Sequence, residues 1–165
     1  MYFLFSLFCV NNVICMKIFR LLCGTLFASM GLAGEIDGMR FIHIGLEEGL
    51  SHSTIFGINQ DKEGNLWFAT YDGFNKYDGY NFTVYRHQYK NPKSIASDIT
   101  RCVVIDNDNR IWIGTREGLS LYNHRKNEFS NFFYKKKGQN VTVRNIVPMQ
   151  KDWLMLGTTE GILLF

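Results

Sequence analysis

The chain predicts an all-β protein, a partial β-propeller of about two and a half four-stranded antiparallel blades. Three observations carry that expectation. First, Asp61–Phe74 and Asp106–Leu119 share an aromatic strand, a Thr after a small residue and a Gly ahead of the next strand, and a degraded third copy ends at Met155–Ile162. Trp67 to Trp112 and Gly73 to Gly118 are both 45 residues apart, and Gly118 to Gly161 is 43, the period of one propeller blade. Second, apolar residues alternate with period two and no segment keeps a helical period. Third, the residue three before each Trp position is Gly64, Asn109 or Asp152, residue types that tolerate positive φ. A turn geometry is conserved between copies whose side chains drift.

The elements follow in order. Residues 1–34 contain no acidic residue and only Lys17 and Arg20 as basic ones. Met16–Arg20 gives a positive start, Leu21–Leu32 an apolar run and Gly31–Ala33 a small-residue cleavage site, so the segment reads as a signal peptide cut after Ala33, with translation starting at Met16. An uncleaved anchor through residues 2–34 is the alternative, but Asn11, Asn12, Lys17 and Arg20 would fall within a span that needs about 20 apolar residues. A lipoprotein reading at Cys23 meets Leu22 where a small residue belongs. Residues 35–52 form an N-terminal strand, Met39–Ile44, and the loop leading into the first blade. Its likeness to the fourth strands beginning at Phe82 and Phe129 suits a strand lent to the last blade of a closed ring.

Blade 1, residues 53–96, takes strands at Ser53–Gln60, Leu66–Thr70, Phe74–Tyr77 and Tyr80–Tyr85. Blade 2, residues 97–140, takes Ile99–Ile105, Ile111–Thr115, Leu119–Tyr122 and Phe129–Phe133. An incomplete blade 3, residues 141–165, takes Val143–Met149, Trp153–Leu156 and Ile162–Phe165. Blades bury their faces only against neighbours, and propellers use about four to eight of them. Two and a half blades leave two open faces, so the chain reads as a truncated piece of a longer protein, with self-assembly into a homodimer as the alternative.

Charge excludes one class of partner. Of 18 Lys and Arg, two lie in the leader, leaving 16 against 15 Asp and Glu, a net charge of +1 that offers nothing to nucleic acid. Cys9, Cys15 and Cys23 also belong to the leader, and Cys102 alone cannot form an internal disulfide.

Gly49–Ser51, Gln60–Asp61, Gly64–Trp67, Ala69–Thr70, Asp72–Gly79 and Phe82–Tyr85 follow a known pattern almost throughout, and Ser94–Asp98 matches its inter-blade loop. The chain in this way resembles the two-component regulator propeller repeat of hybrid histidine kinases, over about residues 39–165. The resemblance implies a periplasmic sensor whose blades bind a ligand, commonly a glycan-derived oligosaccharide, and signal inward to a kinase and regulator. This sequence carries no kinase core, receiver or DNA-binding helices, and Met155 stands where the other copies have Trp.

Candidate sites are weighed against plainer roles. Asp61–Gly64 and Asp106–Asn109 could suggest calcium, but the closing Glu of a twelve-residue loop is missing, and Asp and Asn are ordinary hairpin residues. Trp67 and Trp112 could stack on sugars, yet recurrence at one blade position favours packing between sheets. They are read with Thr70, Gly73, Thr115, Gly118, Thr158 and Gly161 as the structural frame of the repeat. Ligand contact is expected instead from residues that vary beside the Thr-x-x-Gly loop: Tyr71 and Asp72, Arg116 and Glu117, Thr159 and Glu160. His43, His52, His87 and His124 lack metal-ligand spacing, and no phosphate loop or nucleophile motif occurs. No cofactor, metal or catalytic residue is expected.

The function these readings predict is the N-terminal part of an exported, carbohydrate-responsive, non-enzymatic sensor. Its partners would be the remaining blades and kinase portion of a longer protein and an oligosaccharide. A truncated propeller enzyme acting on polysaccharide and a non-functional gene remnant are the alternatives, because fold alone does not choose function.

Overall fold

The structure, a computed structural model, describes residues 40–150 and 152–165. The leader expected at 1–34 lies outside the described residues. From His43 to Phe165 the chain forms one compact unit. Blade 1 is a four-stranded meander of β1 (Ile55–Gln60), β2 (Leu66–Thr70), β3 (Phe74–Tyr77) and β4 (Phe82–Tyr85). Blade 2 repeats it with β5 (Thr100–Ile105), β6 (Ile111–Thr115), β7 (Gly118–Asn123) and β8 (Glu128–Phe132). A two-stranded ribbon, β9 (Lys135–Lys136) and β10 (Gln139–Asn140), precedes a three-stranded blade 3 of β11 (Val143–Pro148), β12 (Leu154–Thr158) and β13 (Gly161–Leu164). All pairings are antiparallel. The all-β partial propeller is therefore the observed fold, with strand ends within two residues of those expected from alternation.

The turn prediction holds at backbone level. Gly64, Asn109 and Asp152 all have positive φ, at 90°, 62° and 64°, and each closes the hairpin between the first two strands of its blade. The backbone N–H of Asp61, Asp106 and Met149 donates to the carbonyl of Asn65, Arg110 and Trp153 in turn, which aligns the three hairpins residue for residue. Burial explains why the Trp positions recur. Trp67 is fully buried, stacked on Phe74 with ring centroids 5.2 Å apart and packed with Tyr122 at 5.1 Å. With Ala69, Ile95, Val103, Ile111, Ile113 and Phe129 these rings form the core between blades 1 and 2. Between blades 2 and 3 the core is Cys102, Trp112, Leu119, Val143, Ile146, Leu154 and Leu156. Each large apolar side chain so buried contributes about 1.5–3 kcal/mol.

A buried apolar residue leads into the first strand of each blade (β1, β5 and β11, the inner strands): Leu50, Ile95 and Val141. Ser51 and Ala96, one residue on, donate their N–H groups to side chains of the third strand, Asn75 Oδ1 at 3.0 Å and Ser120 Oγ at 3.3 Å. These anchors set where each inter-blade connection lands.

Residues 40–44 pair with no strand among the described residues, and Phe41, Ile42 and Ile44 are exposed. The partner expected for a strand at Met39–Ile44 is the last blade of a closed ring, which is not among the described residues. The β9–β10 ribbon departs from the expected strands. Its two-residue turn, Lys137 and Gly138 with φ of 52° and 81°, has the left-handed pair that suits a tight hairpin, but each arm is too short for alternation to register.

Candidate ligand-binding site

The Thr-x-x-Gly loops are built alike in all three blades. Thr70, Thr115 and Thr158 donate their hydroxyls to the carbonyls of Gly73, Gly118 and Gly161 at 2.8, 3.0 and 2.7 Å. Each hydroxyl also accepts the N–H of Asp72, Glu117 or Glu160. The Gly must turn left-handed here, with φ of 109°, 142° and 106°. The two intervening residues are thus held outward at one end of each blade. Their first N–H, from Tyr71, Arg116 or Thr159, is tied to the carbonyl of Thr54, Ile99 or Thr142 just before the inner strand. In blade 1 the loop is locked further by the next blade, because Thr100 Oγ1 accepts from the Thr70 N–H at 2.7 Å and donates to its carbonyl at 3.0 Å.

A β-bulge recurs at this same end of every inner strand. Ile55 faces Thr70 and Gly57 faces Ala69, leaving Phe56 unopposed. The same slip leaves Arg101 unopposed between Thr100 and Cys102, and Arg144 between Val143 and Asn145. A bulge bends its strand and re-aims the extra side chain. The Arg101 guanidinium lies over the Phe56 ring, 4.7 Å from its centroid.

Between blades 2 and 3 the Thr-x-x-Gly loops and the β9–β10 ribbon form an open cavity of about 570 Å³ lined by Arg116, Glu117, Lys135, Lys136, Gly138, Gln139, Asn140, Val141, Thr142, Thr159 and Glu160. Four of the six loop residues expected to meet a ligand, Arg116, Glu117, Thr159 and Glu160, therefore share one wall system with the β9–β10 ribbon. Glu117 accepts from Asn140 Nδ2 at 3.0 Å, and Lys136 pairs with Glu160 at 2.7 Å. That hydrogen bond from Lys136 to Glu160 raises the ammonium pKa above its ordinary value. Thr142 donates its hydroxyl to the Arg116 carbonyl at 2.9 Å. Asn140 Oδ1 is buried without a hydrogen-bond partner among the described residues.

Tyr71 and Asp72 do not line this cavity. Asp72 pairs with Arg86 at 3.0 Å, and Tyr71 sits against His52 and Phe56, with centroids 5.5 and 6.4 Å away. The reason lies in the connections. Residues 86–99 fold down over blade 2, held by buried Ile95 and by Asn131 Nδ2 donating to the Ser94 carbonyl at 2.8 Å. The equivalent connection after blade 2 instead rises into the ribbon and forms a wall.

At the opposite end of the blades, Asp61 and Asp106 serve the hairpins. Asp61 accepts from the Asn65 backbone N–H at 2.8 Å and from Trp67 Nε1 at 2.8 Å; Asp106 accepts from the Arg110 N–H and Trp112 Nε1, both at 2.9 Å. Arg110 bridges Asp106 and, on blade 3, Asp152 at 2.7 Å. Among the described residues no group of three His, Cys, Asp or Glu could hold a metal ion, and no helix is long and apolar enough to cross a membrane. His87 Nδ1 lies 2.9 Å from the Ile95 carbonyl, and His124 packs edge-on to Trp67.

A family model described as two component regulator propeller matches residues 49–72 and 94–117, beginning one residue before the buried anchors Leu50 and Ile95. Histidine kinase P4 of Formosa agariphila is 37% identical over 70 residues, which is 42% of this chain and 5% of that protein. The extracellular domain of a putative hybrid two component system from B. thetaiotaomicron superposes with a TM-score of 0.62 and 30% identity, over 75% of this chain and 20% of that one. A second such domain from B. thetaiotaomicron gives 0.61 at 16% identity, over 77% and 18%, a likeness of fold alone. The chain thus spans a small part of the length of each relative.

Proposed function

We propose, from the premise that this chain carries two copies of the two-component regulator propeller repeat, that it belongs to the periplasmic ligand-sensing propeller of a hybrid histidine kinase and that the ligand is a carbohydrate. The observation that carries this reading is the cavity between blades 2 and 3. One part of its wall, Arg116, Glu117, Thr159 and Glu160, comes from the positions that vary between otherwise repeated Thr-x-x-Gly loops, the rest from the β9–β10 ribbon and its flank, and the lining is mostly amide, hydroxyl and charged side chains. Such a surface suits a ligand dense in hydroxyls, which can both donate and accept. Fixed loop backbones carrying variable side chains are how a rigid repeat scaffold presents a binding site.

Binding would act without chemistry in this chain. The ligand bridges loops of two neighbouring blades, so occupancy stabilises one blade-to-blade arrangement over others, and a kinase portion elsewhere in the protein reads the shift. Further blades of the ring are the other expected partners. Export of the propeller places it where extracellular glycan fragments are met.

Calorimetric titration of the purified chain with a panel of oligosaccharides tests the reading. We expect saturable binding by at least one oligosaccharide, weakened about tenfold by Glu117→Ala, whose carboxylate faces the cavity beside Asn140. Absence of binding across the panel, or affinity untouched by Glu117→Ala and Thr159→Ala alike, would count against it.

A further inference from the structure

The two seams between blades share a plan and differ in chemistry. In the seam of blades 1 and 2, Thr100 is fully buried; its hydroxyl accepts from the Thr70 N–H at 2.7 Å and lies 3.0 and 3.2 Å from the Thr70 and Gly73 carbonyls. The Tyr85 and Tyr122 hydroxyls meet at 3.0 Å across the same seam. At the hairpin end, Asn109 Nδ2 donates to the Glu63 carboxylate at 2.9 Å, and Asn109 Oδ1 accepts from the Lys62 N–H at 3.0 Å. Hydrogen bonds thus join these two blades within the seam as well as at its end.

In the seam of blades 2 and 3 each of those hydroxyl-bearing residues has an apolar counterpart. Val143 faces Thr158 across its ladder as Thr100 faces Thr115, so Val143 holds the place of Thr100. Phe132 pairs with Leu119 as Tyr85 pairs with Phe74, and Phe165 exchanges backbone hydrogen bonds with Leu154 where Tyr122 pairs with Ile111. The Phe132 and Phe165 rings meet edge to face, with centroids 4.9 Å apart, where the other seam has its tyrosine pair. Among the described residues no hydrogen bond joins strands β5–β8 to strands β11–β13. Those between the two blades lie at their ends, from Thr142 to the Arg116 carbonyl at 2.9 Å and from Arg110 to Asp152 at 2.7 Å. The Arg110 pair is exposed, and such pairs hold weakly. Cavities of about 570 and 310 Å³ open at the two ends of this seam.

Hydrogen bonds fix distance and direction, whereas apolar contact is non-directional and lets packed layers shift. We infer that blades 1 and 2 form one rigid body and that blade 3 opens against it along the apolar seam, changing the width of the cavity at its loop end. This motion needs no ligand, and its presence or absence is independent of the carbohydrate reading. Two adjacent residues of β5 report on the seams separately. Cys102 is buried in the core shared with blade 3, and Val103 in the core shared with blade 1.

The test is native-state thiol labelling of the full chain with Val103→Cys, in dilute solution, read at each cysteine by peptide mass spectrometry and scaled to its rate in denaturant. The substitution gives each seam one thiol. Cys102 is expected to react at least about tenfold faster than the introduced thiol, because seam opening exposes the first and only global unfolding the second. Restoring the hydroxyls with Val143→Thr, Phe132→Tyr and Phe165→Tyr together should slow Cys102 about tenfold and leave the introduced thiol unchanged. Tyr85→Phe, which removes a hydroxyl from the seam of blades 1 and 2, should speed the introduced thiol and leave Cys102 unchanged. Equal rates for the two thiols in the starting variant overturn the inference, since the three blades then open as one unit. A Cys102 rate untouched by the restored hydroxyls, at an unaltered thermal midpoint, overturns it too. Should the threefold variant fold poorly, Tyr85→Phe decides alone: an introduced thiol no faster than before sinks the assignment of the rigid pair.

Discussion

Trp67 and Trp112 each direct an indole N–H to a carboxylate six residues earlier, at 2.8 and 2.9 Å. In blade 3 the aligned residues are Met149 and Met155, so both halves of the contact are absent together. That joint exchange follows from energetics: a buried indole N–H without an acceptor costs about 1–3 kcal/mol, whereas removing donor and acceptor as a pair avoids the penalty. The same contacts set a pH dependence. Desolvation alone would raise the Asp61 carboxyl pKa, but the Trp67 indole and the Asn65 amides outweigh it and hold it below the ordinary range. Asp106 is likewise depressed, with desolvation opposed by Trp112 and Arg110. A carboxyl whose folded pKa is lowered binds fewer protons folded than unfolded, so its stabilisation is complete above the unfolded pKa of about 4 and is lost as pH falls through the folded value. Chemical unfolding followed from neutral pH downward should show stability declining below about pH 4. The Asp61→Asn, Asp106→Asn double variant should show a flatter profile; a parallel profile would remove these two groups as the cause.

At the scale of the element, bulges and close approaches determine how neighbouring blades meet. The bulged inner strand brings Cys102 opposite Gly114, and a Cβ on Gly114 would lie 2.5 Å from Cys102 Sγ and 2.9 Å from the Val143 carbonyl. Blade 1 carries Ala69 at the matching place, facing Gly57 across the ladder. The small residue has therefore moved from one strand to the other while their combined volume stays low. Burial pushes the Cys102 thiol up to about 11, which keeps it protonated and a packing group at neutral pH. Gly114→Ala should destabilise the chain by about 1–3 kcal/mol through overpacking. Denaturant unfolding checks this, and Cys102→Ala introduced beside Gly114→Ala should recover part of the loss. This pairing was invisible in the sequence, where Gly114 reads as one more member of a Gly-Thr step. Register, which decides what faces what, is a property of two strands together.

For the whole molecule, the decisive feature is which surfaces the blades leave uncovered. On blade 3, Val147, Met155 and Leu164 form one cross-strand row on the face turned away from blade 2, while Ile146, Leu154 and Leu156 are buried on the other. Ile162 and Leu164 are 71% and 61% exposed, and Ile58 is exposed on blade 1. Contiguous apolar surface of this kind associates. The purified chain should elute at a size that grows with concentration, and Leu164→Lys should shift it toward monomer. A chain that stays monomeric at every concentration and unfolds in one sharp transition would refute this expectation.

The repeat was legible in the sequence because its signals are local. Positive φ at Gly64, Asn109 and Asp152, the Thr-x-x-Gly turns and the strand alternation depend on residues within one hairpin, so composition and spacing by themselves determined the all-β blade architecture. The loop positions that project outward followed from the same local logic. Only the tertiary structure decided which of them meet. Arg116, Glu117, Thr159 and Glu160 share a cavity and Tyr71 and Asp72 do not, because one inter-blade connection packs down on Ile95 and the next rises into the β9–β10 ribbon. The bulges at Phe56, Arg101 and Arg144 were hidden for a different reason: each lies within one hairpin, but strand register, and so a slip of one residue in it, is a property of two paired strands that alternation along one strand does not record.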